Sequence, residues 1–183
     1  MERLIICDIL IPSLKRLYKM DFSNIKDGVS ERNICARLAL HIENNMRDYD
    51  NSHVNQKFQH YYADVEYNRM GDGSLKRYEN RHHRPRYMVS DLLIQSRGPM
   101  RNLLAVELKR KGNKKNVYSD KERLASLVSS ISPASPNTCV HDTLVGAFIV
   151  YSPNEIEIDI FKNIDGIGRQ TDRIILKYDQ LVQ

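Results

Sequence analysis

"NLLAVELKRKGN", residues 102–113, combines an apolar run, a single acid and a cluster of cations. It is apolar at 103–106 and at 108, a single carboxylate at Glu107 interrupts the apolar run, and five cations follow from Lys109 to Lys115. A short run that is apolar on both faces predicts a buried strand, in which side chains alternate with a period of two. One face then carries Leu103, Ala105, Glu107 and Lys109, and the other carries Leu104, Val106 and Leu108.

The preceding segment, residues 87–95, predicts a partner strand, because Gly98 and Pro99 mark a turn between the two segments. A hairpin centred on residue 99 places Asp91 opposite Glu107, with Cβ atoms about 4.5–5.5 Å apart. Two carboxylates held that close repel each other unless a proton or a cation lies between them. Oxygen ligands at this separation suit Mg²⁺ or Mn²⁺, and Lys109 lies on the same face to stabilise developing negative charge. The hairpin therefore predicts metal-assisted phosphodiester hydrolysis.

A simpler interpretation of the same residues is an ordinary ion pair on an unrelated α/β protein. Glutamate and lysine two residues apart are common on exposed strands, and this alternative predicts no gathering of carboxylates around Glu107. The apolar surroundings favour the functional interpretation, since a buried acid needs a partner.

The rest of the chain predicts helices and strands that enclose this hairpin. Apolar spacing and capping signals indicate a first helix, or two short ones around Pro12, and a helix that Ser30 caps. The expected order is ααβββαββ, an α/β fold with a central mixed β-sheet flanked by helices. We expect a single domain over 1–183, with a core at about 29–162 and a helical extension at 1–28. The helices are expected at 2–20, 30–49 and 119–131; the strands at 61–69, 87–95, 102–109, 143–152 and 155–161; the tail, 171–183, is ambiguous.

Charge and cysteine usage limit the partners and the compartment. The chain carries 28 Lys and Arg against 23 acids, and the basic residues concentrate in 75–86 and 109–115. Such stripes favour a polyanion partner such as nucleic acid, although many basic proteins bind none. Three cysteines without metal-site or disulfide spacing predict reduced thiols, and no segment is apolar enough to span a membrane, so we expect a cytoplasmic protein.

These residues together resemble the PD-(D/E)XK nuclease superfamily, especially its small bacterial and prophage-borne members. The resemblance runs from about Val29 to Tyr151 and rests on an acid on the first core helix, an Asp on one strand and (D/E)-x-K on the next. The matching stretches are Ser30-Glu31-Arg32, Arg37-Leu38-Ala39, Asp64-Val65-Glu66-Tyr67-Asn68-Arg69, the Asp91 strand and Glu107-Leu108-Lys109. The resemblance implies a restriction-endonuclease-like core and an endonuclease-like activity on nucleic acid, with DNA favoured over RNA.

The resemblance also implies roles for individual residues. Asp91, Glu107 and the Leu108 carbonyl would bind Mg²⁺ or Mn²⁺, and Lys109 would orient the attacking water. Glu31 would complete the metal site directly or through water; the alternative is an acid that the helix dipole favours in the first turn. Apart from the resemblance, the basic stretch after Lys109 begins beside the proposed site and could hold a polyanion there, through Arg110, Lys111, Lys114 and Lys115; plain solvation of these residues is the alternative.

Two features of the pattern are loose. Ser90 stands at the position that is proline in the PD-(D/E)XK pattern. In similar sequences an acid and a basic residue begin the next helix, and here Asp120 with Arg123 or Lys121 correspond to them.

The rival interpretation is a non-catalytic module that binds nucleic acid or protein on the same fold. A homodimer or a partner protein is the expected source of specificity.

Overall fold

The central feature of the structure, a computed structural model, is a six-stranded mixed β-sheet. The structure describes residues 1–66, 77–79, 85–87, 89–96, 100–130 and 143–183, with backbone alone for 77–79 and 85–87. In the sheet the strand order is β1-β4-β5-β6-β7-β8, and every neighbouring pair is antiparallel except β5 and β6. Two short strands, β2 and β3, form a separate antiparallel pair. The strands are β1 (Tyr61–Val65), β2 (Arg77–Glu79), β3 (Pro85–Tyr87), β4 (Leu92–Ser96), β5 (Leu104–Arg110), β6 (Val145–Tyr151), β7 (Glu155–Ile164) and β8 (Ile167–Lys177).

Helices flank this sheet, as the sequence predicts. A π-helical segment, Leu4–Leu10, leads directly into the first α-helix, and its wider turns precede Pro12, whose ring would clash with the carbonyl four residues earlier in an α-helix. The third helix begins as predicted, with the Ser30 hydroxyl accepting the Asn33 N–H at 3.3 Å. The α-helices are α1 (Ile11–Met20), α2 (Phe22–Asp27), α3 (Glu31–Ser52), α4 (Val117–Val128) and α5 (Tyr178–Val182).

The sheet separates two hydrophobic cores, one on each face. The larger core lies between the sheet and the helices of residues 1–52, and the smaller one lies under α4. Leu104, Val106 and Leu108 point into the larger core, whereas Ala105 packs under α4. The predicted alternation along β5 is confirmed, except that Leu103 packs in the larger core because it precedes the strand. Glu107 and Lys109 thus share the face that α4 covers.

Residues 1–28 contribute directly to the larger core. Their buried apolar side chains pack into the same cluster as those of α3 and the sheet. They are Ile5, Ile6, Ile9, Leu10, Leu14, Leu17, Tyr18 and Ile25.

The tail, 171–183, for which the sequence predicts no clear element, lies in the last strand of the sheet, β8, and in the short helix α5. Asp165 and Gly166 form a two-residue turn between β7 and β8, both with positive φ, and Ile164 pairs with Ile167. Asp-Gly is a favoured sequence for this hairpin turn, because both residues tolerate the left-handed conformation. The turn returns the chain along β7 and extends the sheet by one strand.

Gly168 lies where β8 passes closely beneath α4. A Cβ at this position would lie 1.9 Å from the backbone carbonyl oxygen of Ala125 and 2.6 Å from a methyl group of Val128. A backbone atom, unlike a side chain, cannot avoid the new methyl group by changing rotamer. We therefore expect Gly168→Ala to lower the free energy of unfolding by about 1–3 kcal/mol. Urea unfolding followed by circular dichroism measures this, and an unchanged midpoint would contradict the close approach. Gly168 does not have a positive φ, so the expected cost is steric. Gly112 has a left-handed φ and open space around it, so Gly112→Ala gives for comparison the cost of backbone conformation without a clash.

The described residues also allow the predictions about membrane spans and cysteines to be compared with the structure. None of the helices in the described ranges is long and apolar enough to cross a membrane. Cys35 is buried and Cys7 is exposed, and both are free thiols. Cys139 lies outside the described residues.

Candidate active site

Asp91 and Glu107 face each other across the central hairpin. The pairs Leu92–Val106, Leu93–Ala105 and Ile94–Leu104 confirm the register that the sequence predicts, and its next step places residue 91 opposite residue 107. The Asp91 Oδ2 atom accepts the Leu108 N–H at 2.8 Å, so the carboxylate lies against β5.

The backbone of Asp91 is fixed from the other side. Its carbonyl oxygen accepts the Glu66 N–H and the buried Cys35 thiol, each at 3.1 Å. Glu66 has a φ of 53°, an uncommon conformation for a non-glycine residue, and its carboxylate pairs with Arg32 at 2.8 Å. Glu66 therefore supports Asp91 through its main chain rather than through its acid.

Glu107 is buried and bound by a residue from α4. Its side chain is 1% exposed, and Arg123 donates to both of its oxygens, from Nε at 2.7 Å and from Nη2 at 2.6 Å. The same Nη2 lies 2.8 Å from Asp120 Oδ1, one helical turn earlier. A planar guanidinium matches a carboxylate in this two-point geometry.

Lys109 is held between acids that come from two different helices. Its Nζ atom lies 3.1 Å from Asp120 Oδ2 on α4 and 3.8 Å from Glu31 Oε2 at the start of α3. Glu31 is in turn fixed by the Arg110 N–H and the Asn113 side-chain amide, each 2.8 Å from Oε1. Glu31 therefore does more than favour its own helix, because it reaches the end of β5 and faces Lys109.

The burial of these groups shifts their proton affinities. Burial raises the pKa of Glu107 to about 8, although Arg123 opposes the shift. It also raises the pKa of Asp91, against the Leu108 N–H and the charge of Lys109. For Lys109, burial acts to lower the pKa, but Asp120, Glu31 and Asp91 together raise it above its ordinary value. Lys109 is thus a cation at neutral pH.

The cluster carries an excess of acids. Among the described residues, two cations, Lys109 and Arg123, lie among its four carboxylates, so these residues leave two negative charges over when all the acids are ionised. The acids are Glu31, Asp91, Glu107 and Asp120. A dication would match this excess. Burial is the main cause of the raised pKa values of Asp91 and Glu107, and the neighbouring acids raise them further.

The donor set fits Mg²⁺ by the chemistry of its atoms. Within the part of the chain that the structure describes, no group of three or more Asp, Glu, His or Cys side chains is arranged to hold a metal ion. Mg²⁺ needs fewer, since it is bound through one or two carboxylates and keeps several waters. Asp91 and Glu107 supply two carboxylates. The Leu108 carbonyl points to the same side of β5 as its N–H, which is the side of Asp91.

The four basic residues after Lys109 differ in what they contact. Lys111 forms ion pairs with Glu155 and Glu157 on β7, so its charge is compensated. Arg110 is exposed, with its guanidinium beside the backbone of Gly28. Lys114 and Lys115 are exposed and, within the described ranges, have no ion-pair partner. These last two are the cations best placed to receive phosphates.

The structure also distinguishes the candidates on α4. Asp120 and Arg123 both enter the cluster, whereas Lys121 pairs with Asp159 at 2.6 Å. Sequence reasoning missed Asn113, a polar residue in a basic loop with no signal of its own. The second basic segment, 75–86, is described only at the backbone of 77–79 and 85–86, and the rest of it lies outside the described residues.

Comparison of the chain with protein-family models, with curated proteins and with solved structures gives no match.

Proposed function

We propose that the protein is a metal-dependent phosphodiesterase, an endonuclease-like enzyme of nucleic acid on a restriction-endonuclease-like core. The observation that carries this proposal is the juxtaposition of Asp91 and Glu107 across a hairpin, with Lys109 two residues further along the same face. Glu31 approaches the same point from α3. DNA is the favoured substrate, Mg²⁺ or Mn²⁺ the proposed cofactor, and a homodimer or a partner protein the proposed source of specificity.

Each residue has a defined part in this chemistry. Asp91, Glu107 and the Leu108 carbonyl would hold the metal ion, which polarises the phosphoryl group and lowers the pKa of a bound water. Lys109 carries a positive charge, because Asp120 and Glu31 favour its protonated form. It therefore acts as a donor that orients the water and stabilises negative charge on the phosphoryl oxygens, rather than as a general base. Before metal and substrate bind, Glu31 and Asp120 hold its ammonium group beside the two acids.

A second candidate function is a binding module without turnover. Arg123 occupies both oxygens of Glu107, and this ion pair satisfies the buried acid without a metal ion. On this alternative the fold binds nucleic acid through its basic loop, and the carboxylate cluster is structural.

Cleavage assays decide between the two functions. Supercoiled plasmid, single-stranded DNA and single-stranded RNA are each incubated with the protein in Mg²⁺, in Mn²⁺ and in EDTA. We expect cutting in either metal and none in EDTA, and the substrate that is cut identifies the nucleic acid. Binding of nucleic acid without cutting of any substrate in either metal would favour the module.

The basic loop gives a prediction that holds for both functions. We expect Lys114→Glu combined with Lys115→Glu to weaken nucleic-acid binding by at least about tenfold and to lower the slope of log K against log salt by about 2, since two phosphate contacts are lost. Fluorescence anisotropy over a range of salt concentrations measures both quantities. Lys19→Glu with Lys57→Glu introduces the same charge change at exposed lysines elsewhere and serves as the control. Equal weakening by both pairs would show only a general charge effect.

A further inference from the structure

The two-point contact between Arg123 and Glu107 raises the question of how a metal ion reaches Glu107. The carboxylate is almost completely buried, and both of its oxygens already accept hydrogen bonds from the guanidinium. A dication bound to the same carboxylate would lie next to this cation in a site largely shielded from water, where like charges repel strongly.

A second partner for Arg123 is already in contact. Asp120 Oδ1 lies 2.8 Å from Arg123 Nη2, one turn away on the same helix, so the guanidinium can leave Glu107 without losing its charge partner. The other oxygen of Asp120 lies 3.1 Å from Lys109 Nζ. Arg123 and Lys109 therefore share one carboxylate, and closer pairing of Arg123 with Asp120 weakens the hold of Asp120 on Lys109.

From these contacts we propose that Arg123 is a displaceable lock on the metal site. In the metal-free protein it keeps Glu107 paired. When a divalent cation binds to Asp91 and Glu107, Arg123 moves from Glu107 onto Asp120, and Lys109 is released from Asp120 toward the reacting phosphate. Arg123 is thus a positioning residue that links metal occupancy to the freedom of Lys109. This inference rests on the proposed function, because it takes Glu107 as a metal ligand.

Metal binding without substrate is the first test. Isothermal titration calorimetry with MnCl₂ is carried out on the wild type, Arg123→Met and Arg123→Lys. We expect Mn²⁺ to bind at least about tenfold more tightly to Arg123→Met, since a charge-assisted two-point pair no longer has to be broken. Arg123→Lys keeps the charge but gives up the two-point geometry, so it should lie between the other two and remains informative if the methionine variant does not fold. Lys121→Met is the control, because Lys121 is a cation on the same helix but pairs with Asp159. We expect this variant to bind Mn²⁺ with wild-type affinity.

Movement of the guanidinium is measured directly in the wild type. Titration with diamagnetic Mg²⁺ is followed by ¹⁵N–¹H spectra of the arginine side chains, and the Arg123 Nε–H signal is assigned by its loss in Arg123→Lys. We expect this N–H to be protected from exchange with water without metal and to exchange faster with metal.

The outcomes separate the two proposals. Binding of Mg²⁺ that Asp91→Asn abolishes, with an unchanged Arg123 signal and unchanged affinity in both arginine variants, would overturn the lock and leave the metal site intact. Absence of Mg²⁺ and Mn²⁺ binding in every variant would remove the metal site, and the lock with it.

Discussion

Asp91→Asn, Glu107→Gln and Lys109→Ala are each expected to reduce cleavage of the preferred nucleic acid by about a hundredfold to a thousandfold or more. The two acids face each other across β4 and β5, and loss of either one removes half of the carboxylate ligand set. Lys109 is the cation held at this point by Asp120 and Glu31, so its removal leaves developing charge unbalanced, an effect of about this size. Single-turnover rates with saturating Mg²⁺ measure the losses.

A matched control is available on the same face of the sheet. Glu157 on β7 is also an acid in ion pairs, with Lys111 and Arg173, but it lies outside the cluster around Glu107. Glu157→Gln should therefore keep its cleavage rate. If Glu157→Gln and Glu107→Gln lost the same activity while both remained folded, the assignment of Glu107 would be wrong.

At pH 9, Arg123→Met is expected to lower the free energy of unfolding by about 3–5 kcal/mol, because it leaves a buried acid that is ionised in the wild type without its cation. The loss should depend on pH. Burial already places the pKa of Glu107 at about 8 with Arg123 present, and removal of the arginine raises it further. A carboxyl whose pKa is higher in the folded protein than in the unfolded chain loses stability as pH rises between the two values. The deficit should thus be small near pH 4 and larger at pH 9.

Urea unfolding at several pH values, without metal, tests this expectation. The double variant Glu107→Leu with Arg123→Met replaces the ion pair by apolar groups, and we expect it to recover most of the lost stability and to remove the added pH dependence. Arg16→Met serves as the control, since the ion pair that Arg16 forms with Asp48 is exposed and should contribute little to stability. An equal loss at pH 5 and pH 9 in Arg123→Met would mean that packing of the arginine stem, rather than its charge, stabilises α4.

The sequence carried most of the information about the central hairpin. The apolar alternation of 103–108 and the position of the turn were sufficient to predict the faces of β5 and the pairing of position 91 with 107. Ser30 marked the start of α3 correctly because a capping hydroxyl acts on the N–H three residues later. These are local effects, and local effects are readable in a linear sequence.

The last strand, β8, was less apparent from the sequence than the hairpin. The turn of Asp165 and Gly166 carried a recognisable hairpin signal, yet the residues of β8 include several charges and no clean alternation, so the strand was missed. The strand forms because β7 provides a partner along most of its length. Its register therefore comes from pairing and from the turn rather than from its own composition.

Local sequence patterns were sufficient to predict the hairpin, the first long helix, the α/β class and the candidates Asp91, Glu107 and Lys109. Which charges meet became apparent only in the folded protein, because Glu31 comes from α3, whereas Asp120 and Arg123 come from α4. Ion pairs between distant segments depend on how helices pack on the sheet, and a charged side chain carries no local mark of its future partner. The same packing binds Lys111 to β7 and leaves Lys114 and Lys115 exposed.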